Sequence, residues 1–225
     1  MFAMYAERVP DRPSVYDGRK RRARFGCLPE PIGRTASNRM NEERIKRPAA
    51  FIDRDGTLIE EVNFLSRIED LRLFDFTPEA VRRLKSSGFL VIVVTNQSGI
   101  GRDIFDETSM RSIHDEIQDR LENSIDAFFH CPHLPCDGCR CRKPNLGMIE
   151  AAGREFRIDM DSSWMIGDKK IDVETGLNAR IGSAMVRTGY GSLHEHELDR
   201  APDIVADNLL DVVKQILMRY GPSGR

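Results

Sequence analysis

The chain has 225 residues and a formal net charge of −2, with 40% of the residues hydrophobic and 31% charged. This balance is ordinary for a soluble globular protein and excludes a polybasic nucleic-acid binder. The sequence holds no apolar run of about 20 residues, the length that crosses a bilayer, and no secretory signal. We therefore expect a cytoplasmic protein without a membrane partner.

Residues 1–48 differ in composition from the rest of the chain. They hold 12 lysines and arginines against 6 aspartates and glutamates, and they lack sustained apolar periodicity. We predict that they form a basic, disordered extension, or that translation starts at Met40 instead. A nucleic-acid- or partner-binding arm and an organellar targeting segment are the alternatives. The folded domain is expected at residues 49–220.

From residue 49 onward, short apolar runs alternate with amphipathic segments. The predicted strands span 49–53, 89–94, 127–129, 164–166, 183–186 and 204–205. The predicted helices span 77–85, 107–122, 146–156, 171–179 and 209–218. This alternation predicts an α/β fold with a doubly wound, Rossmann-like parallel sheet. In such a sheet, ligands bind beyond the carboxyl ends of the strands.

The first predicted strand leads into the segment Asp53-Arg54-Asp55-Gly56-Thr57. Residues two apart in a strand point to the same side, so Asp53 and Asp55 can converge on one small site. Two carboxylates cannot both be buried and charged without a cation, so a divalent metal is implied. An aspartyl nucleophile and its acid/base partner for phosphoryl transfer are built in this way.

Three further polar motifs fall at predicted strand ends. They are the segment Thr95-Asn96-Gln97-Ser98-Gly99, the pair Arg142-Lys143, and the group of Asp168, Lys169 and Asp172. The first can bind phosphate oxygens, and the second offers cations to a developing phosphoryl charge. The third adds a metal carboxylate and a lysine that can pair with Asp53 or the phosphate. Each motif alone is typical of a turn, a solvated surface or a helix cap, but their joint occurrence favours an active site.

These motifs, in this order, resemble those of the haloacid dehalogenase superfamily, and the resemblance covers roughly residues 49–220. It implies that Asp53 attacks phosphorus to form an aspartyl phosphate. Asp55 would protonate the leaving alcohol and then activate water. Mg²⁺ would be held by the carboxylates of Asp53 and Asp168 and by the backbone carbonyl of Asp55. Thr95 and Asn96 would bind the transferring phosphoryl group.

A cysteine cluster predicts a second metal site. The chain has five cysteines, and four of them lie within residues 131–141, which suits a metal site in a reducing compartment better than disulfides. A Cys-x-His followed by Cys-x-Cys provides the ligands of a closed, tetrahedral structural zinc site. Free thiols in a loop or a disulfide are the alternatives, and Cys136 is a spare thiol. The zinc would pin the loop that delivers Arg142 and Lys143. The predicted ligands are Cys131, His133, Cys139 and Cys141.

The zinc loop and the segment from Thr95 resemble one branch of the superfamily. That branch holds D-glycero-D-manno-heptose 1,7-bisphosphate phosphatases and histidinol-phosphate phosphatases. The resemblance implies a Mg²⁺-dependent phosphatase that removes the C7 phosphate of the heptose bisphosphate, in heptose synthesis for lipopolysaccharide or a surface glycan. Histidinol phosphate is the nearest alternative substrate.

Two other functions are less favoured. A polynucleotide 3′-phosphatase would share the chemistry, but the acidic catalytic part would repel a polyanion. A zinc-stabilised binding module with a vestigial site is opposed by the intact Asp53, Asp55, Lys143 and Asp168.

No large cap domain is expected, because the stretch between Leu58 and Phe89 is too short once its helix is counted. An open site suits a small phosphorylated metabolite, and we expect a monomer. The resemblance implies that Lys143 neutralises charge in the transition state. The residues expected to face the substrate are Gln97, Ser98, Arg142, Lys169 and the loop of Glu61, Val62, Asn63 and Phe64.

Overall fold

The computed structural model describes the backbone of residues 14–16 and all of residues 45–220. Seven strands form one sheet in the order β1-β4-β3-β2-β5-β6-β7, and all neighbours are parallel except β1 and β4. The strands are β1 (Ser14–Tyr16), β2 (Arg47–Ile52), β3 (Leu90–Asn96), β4 (Ala127–Cys131), β5 (Ile158–Gly167), β6 (Gly182–Val186) and β7 (Ile204–Ala206).

Seven α-helices and three short 3₁₀ turns connect the strands in the described residues. The turns are Ile68–Asp70, Pro135–Asp137 and Glu195–Glu197. The helices are α1 (Thr77–Ser86), α2 (Ser98–Gly101), α3 (Glu107–Arg120), α4 (Gly147–Glu155), α5 (Lys170–Ala179), α6 (Gly191–His194) and α7 (Leu209–Tyr220). No helix in this part of the chain is long and apolar enough to cross a bilayer.

The sheet separates two apolar cores. Ala50 and Ile52 of β2 belong to one core, which α1, α3 and α7 cover, whereas Ala49 and Phe51 belong to the other, which α4 helps to cover. Side chains alternate across a strand, so a strand that is apolar throughout must be covered on both faces. The predicted doubly wound α/β fold is confirmed.

Several element boundaries differ from the sequence prediction. Strand β5 begins at Ile158 rather than at the predicted residue 164. Its first half has no continuous apolar run, because it is partly exposed and carries polar residues among the apolar ones, and the sequence pattern therefore did not identify it. Helix α2 forms at Ser98–Gly101, inside the segment predicted as a phosphate-binding turn. No inserted domain separates β2 from α1, in agreement with the absence of a large cap.

Part of the predicted extension is ordered against the sheet. Residues Ser14–Tyr16 pair antiparallel with β4, with Ser14 opposite His130 and Tyr16 opposite Phe128. Strand β2 starts at Arg47, two residues before the predicted domain boundary. The prediction for residues 1–13 and 17–44 lies outside the described residues.

The strand order explains where the site lies. Strand β2 is central, between β3 and β5, and its residue Ile52 pairs with Val93 and Ile166. The chain leaves β2 toward β3 and β4 and then returns to the other side of β2 as β5. Such a reversal opens a crevice at the carboxyl ends of the central strands, where the polar motifs follow.

Candidate active site

Asp53 lies at the end of β2, and its carboxylate is held in one orientation. The side chain is buried, and its Oδ1 accepts hydrogen bonds from the Arg54 backbone N–H at 2.8 Å and from Lys143 Nζ at 2.9 Å. Burial alone would raise the pKa of Asp53, but the ammonium groups of Lys143 and Lys169 hold it below its ordinary value. Asp53 is therefore a carboxylate at neutral pH, the form that a nucleophile requires.

Lys143 is buried among three oxygen acceptors. Its Nζ lies 2.9 Å from Asp53 Oδ1, 2.6 Å from Asp172 Oδ1 and 2.8 Å from the carbonyl of Val94. Burial opposes the charged form, yet Asp172 and Asp53 raise the pKa of Lys143. The amide of Asn96 fixes the Lys143 backbone, accepting from its N–H at 3.0 Å and donating to its carbonyl at 3.2 Å. Asn96, predicted to bind the phosphoryl group, thus holds the lysine in place.

Asp168 brings a second carboxylate next to Asp53. Its Oδ2 accepts the Tyr190 backbone N–H at 2.8 Å, whereas its buried Oδ1 has no hydrogen-bond partner among the described residues. Burial raises the pKa of Asp168 to about 8. The ammonium of Lys169 lowers this pKa, whereas the negative charges of Asp53 and Asp172 raise it further. A carboxylate in such surroundings favours either a proton or a cation.

The residues fit a Mg²⁺ ion held by Asp53 and Asp168. Carboxylate oxygens are the ligands that Mg²⁺ prefers, and ligand atoms of Asp53, Asp168 and Asp172 lie within 4.8 Å of one another. We leave Asp172 out of this set, because Lys143 occupies its Oδ1 and the Lys169 backbone N–H donates to its Oδ2 at 3.0 Å. Gly56 supplies the room, since a Cβ there would lie 2.2 Å from Asp168 Oδ2.

The Asp55 carboxylate is held by two neighbouring side chains, Arg54 and Gln97. Arg54 donates from Nη2 to Asp55 Oδ1 at 2.9 Å and from Nε to Oδ2 at 3.1 Å. Gln97 Nε2 donates to Asp55 Oδ2 at 2.8 Å and to Thr95 Oγ1 at 2.8 Å. Because the Thr95 hydroxyl accepts this bond, its own proton is available to donate to another acceptor.

The predicted substrate loop lines a cleft of about 100 Å³ beside Asp55. Within it, Lys169 Nζ pairs with Glu61 Oε2 at 2.7 Å, rather than with Asp53 as the sequence suggested. Arg142 is not part of the cleft wall; its Nη1 donates to the His133 carbonyl at 3.3 Å. The lining residues predicted from sequence are Asp55, Glu61, Val62, Asn63, Phe64, Asn96, Gln97, Ser98 and Lys169.

The four predicted zinc ligands form one buried cluster. The Sγ atoms of Cys131, Cys139 and Cys141 and Nδ1 of His133 lie 3.2 to 3.6 Å apart in the pairs that are in contact. Zinc–sulfur bonds of about 2.3 Å in a tetrahedron place ligand atoms roughly 3.7 Å apart, so the cluster could hold zinc. Cys136 is exposed and lies outside the cluster, as expected for the spare thiol.

Sequence reasoning missed two features of the site. Arg54 was given no role, yet its side chain is buried and bonded to Asp55. The turn after β6 also reaches the site, because Thr188 Oγ1 donates to the Gly56 carbonyl at 2.6 Å and Tyr190 binds Asp168. The sequence feature that could have identified this turn is the pair Thr188-Gly189, which begins two residues after β6 ends at Val186.

Comparison with protein families gives two matches. The family described as HAD-hydrolase-like, where HAD stands for haloacid dehalogenase, matches residues 140–212. The family described as polynucleotide kinase 3 phosphatase matches residues 48–175, which is more than half of the 225 residues.

Individual relatives are similar over nearly their whole length. The D-glycero-beta-D-manno-heptose-1,7-bisphosphate 7-phosphatase of Yersinia pestis is 39% identical, over 77% of this chain and 97% of the relative. The corresponding alpha-anomer enzyme of Photorhabdus laumondii is 36% identical, over 79% of this chain and 100% of the relative. A solved D,D-heptose 1,7-bisphosphate phosphatase from B. bronchiseptica, complexed with magnesium and phosphate, has a TM-score of 0.71 and 30% identity, over 76% and 99% of the two chains.

Proposed function

The chain belongs to the haloacid dehalogenase-like hydrolases and is a phosphatase, and we propose that it removes the C7 phosphate of D-glycero-D-manno-heptose 1,7-bisphosphate. The observation that carries this proposal is the convergence of Asp53, Asp55, Lys143 and Asp168 at the end of β2. The heptose substrate is supported by relatives that bear this activity in their names and align over almost their full length.

In the proposed first step, Asp53 acts as the nucleophile. A bond forms between its carboxylate oxygen and phosphorus while the bond between phosphorus and the C7 oxygen breaks. Asp55 donates a proton to the departing C7 oxygen, so that the heptose leaves as an alcohol. Lys143 holds the Asp53 carboxylate in position and offsets the negative charge of the phosphoryl group.

In the second step, the aspartyl phosphate on Asp53 is hydrolysed. Asp55, now a carboxylate, accepts a proton from the attacking water, which returns both residues to their starting forms. A Mg²⁺ ion bound by Asp53, Asp168 and the backbone carbonyl of Asp55 would neutralise charge on the phosphoryl oxygens. A zinc ion held by Cys131, His133, Cys139 and Cys141 would have a structural role, because four protein ligands would leave it no open position.

A phosphate-release screen tests the substrate. The purified full chain is assayed with both anomers of heptose 1,7-bisphosphate, with histidinol phosphate and with an oligonucleotide that bears a 3′-phosphate. We expect kcat/KM for a heptose anomer to exceed that for the other two by at least about 100-fold, because a site bonded to substrate hydroxyls rejects analogues that lack them. Preference for the oligonucleotide, the activity named in the family match over residues 48–175, would contradict the proposal, as would preference for histidinol phosphate.

A further inference from the structure

A closed ring of side chains surrounds the carboxylate of Asp55. Arg54 binds both oxygens of Asp55, Gln97 binds one of them, and Arg54 Nη2 also donates to Gln97 Oε1 at 3.0 Å. Arg54 can only donate, so this last contact fixes the Gln97 amide with its oxygen toward Arg54 and its nitrogen toward Asp55. The ring therefore has one consistent set of donors and acceptors.

The imidazole of His114 is a third acceptor for the Arg54 guanidinium. Nε2 of the buried His114 lies 3.3 Å from Arg54 Nη1, and the imidazole stacks on the Phe128 ring at 4.4 Å with an interplanar angle of 16°. Burial and the neighbouring Arg54 charge hold the pKa of His114 well below its usual range. The neutral imidazole thus presents a lone pair at Nε2, and the guanidinium is bonded to a different residue along each of its sides.

We propose that Arg54 is the positioning residue of Asp55, which it holds in the orientation for proton transfer to the leaving group while His114 and Gln97 keep its guanidinium in place. This inference rests on the proposed function, because it takes Asp55 as the general acid and base. Arg54 lines the cleft but has only 1% of its surface exposed, and its guanidinium donors are engaged by Asp55, Gln97 and His114. It therefore acts through Asp55 rather than as a free cation.

The geometry also identifies the oxygen that carries the proton. Oδ2 of Asp55 accepts two hydrogen bonds, from Arg54 Nε and Gln97 Nε2, whereas Oδ1 accepts one from Arg54 Nη2 among the described residues. An acid oxygen has room for about two such partners, so Oδ1 is free to bear a proton. That proton moves from Oδ1 to the departing oxygen as the phosphorus–oxygen bond breaks, and Oδ1 accepts a proton from water in the second step.

Leaving-group dependence separates positioning of an acid from general support of the fold. An acidic leaving group such as p-nitrophenol departs without a proton, whereas phenol and the heptose alcohol need one. We therefore compare kcat/KM, which reports the steps up to departure of the alcohol, for p-nitrophenyl phosphate, phenyl phosphate and heptose 1,7-bisphosphate. The proteins are the wild type, Asp55→Asn, Arg54→Lys and the pair His114→Phe and His114→Gln. Circular dichroism melting checks that each variant is folded.

The expected signature is a decrease in kcat/KM that becomes larger as the leaving group becomes more basic. In Arg54→Lys, which keeps the charge but not the two-sided contact, the ratio of kcat/KM for p-nitrophenyl phosphate to kcat/KM for phenyl phosphate should rise at least about tenfold, as in Asp55→Asn. His114→Phe keeps a ring against Phe128 but removes the acceptor, so it should raise the ratio less. His114→Gln restores an acceptor and should return the ratio toward the wild-type value.

Each failure has its own meaning. Suppose that Asp55→Asn shows the signature, but that Arg54→Lys and His114→Phe lower kcat/KM equally for all three substrates or leave it unchanged. Arg54 then does not position Asp55, and the inference is overturned. If Arg54→Lys does not fold, the His114 pair decides in the same way. If Asp55→Asn lowers kcat/KM equally for all three substrates, Asp55 is not the general acid, and the proposed mechanism is overturned together with the inference.

Discussion

At the residue scale, the site is a balance of buried charges. Three carboxylates, from Asp53, Asp168 and Asp172, lie within 4.8 Å of one another, and two lysines approach them. If all three were ionised, three anions would face two cations, and a bound divalent cation would more than offset the excess negative charge. The lysines have different duties, since Lys143 is bonded to Asp53 and Lys169 is bonded to Glu61 in the cleft wall.

Replacing the nucleophile tests the first step of the mechanism. We expect Asp53→Asn to lower kcat by at least about 10³-fold, because an amide of the same shape cannot attack phosphorus. Phosphate release gives the rate, and thermal melting verifies the fold. Asp75→Asn removes the same charge from an exposed position and should keep wild-type activity. Substantial turnover by Asp53→Asn would assign the nucleophile to another residue.

At the scale of elements, the site depends on three strand ends and on the loop that carries the cysteine cluster. Strands β2, β3 and β5 end at the carboxylates and Thr95, whereas the lysine comes from the loop that follows β4. That loop has only the short turn Pro135–Asp137 as regular structure before Lys143, so its shape depends on the cysteine cluster. A loop with few backbone contacts of its own is a common place for a structural zinc.

Removing one zinc ligand tests this dependence. We expect Cys139→Ser to lose most of its zinc and to lower kcat by about 10- to 100-fold, because Lys143 would no longer be held by an ordered loop. Metal analysis of the purified protein should find about one zinc per wild-type chain. The exposed Cys136 is the matched control, and Cys136→Ser should keep both zinc and activity. A Cys139→Ser protein with full zinc would contradict the ligand set.

At the scale of the whole molecule, the N-terminal strand covers an otherwise open edge of the sheet. Strand β4 pairs with β3 on one side and with Ser14–Tyr16 on the other. Edge strands with unpaired backbone groups promote association between molecules, and even a short covering strand reduces that tendency. We therefore expect Ser14–Tyr16 to limit association through the β4 edge, whereas every predicted catalytic residue lies beyond residue 50.

A truncation separates these two contributions. Deleting residues 1–39 should leave kcat unchanged, because every predicted catalytic residue lies beyond residue 50, but should increase aggregation as the edge of β4 becomes open. Deleting only residues 1–12 keeps β1 and is the matched control. Steady-state kinetics and light scattering against protein concentration provide the two measurements. Loss of activity in the longer deletion alone would show that β1 supports the site.

The sequence predicted most of this architecture, and the misses have physical reasons. Continuous apolar runs such as that of β3 identify a buried parallel strand directly, and the motif residues then fall at its end. Arg54 was missed because an arginine between two aspartates is usually solvated, and burial becomes visible only when its partners Gln97 and His114 are brought together by the fold. The partner of Lys169 depended on the path of the loop with Glu61, which periodicity does not define.

The paired bonds between Asn96 and the backbone of Lys143 have a consequence for how this enzyme can diversify. These hydrogen bonds hold the Lys143 backbone at the end of β3, whatever the length of the loop between β4 and Lys143. The stretch between His133 and Cys139 is bounded on both sides by residues of the buried cysteine cluster, so insertions there would leave the lysine in place at a small entropic cost. New contacts to larger or differently shaped phosphate esters can arise in that stretch while the chemistry of phosphate removal stays the same.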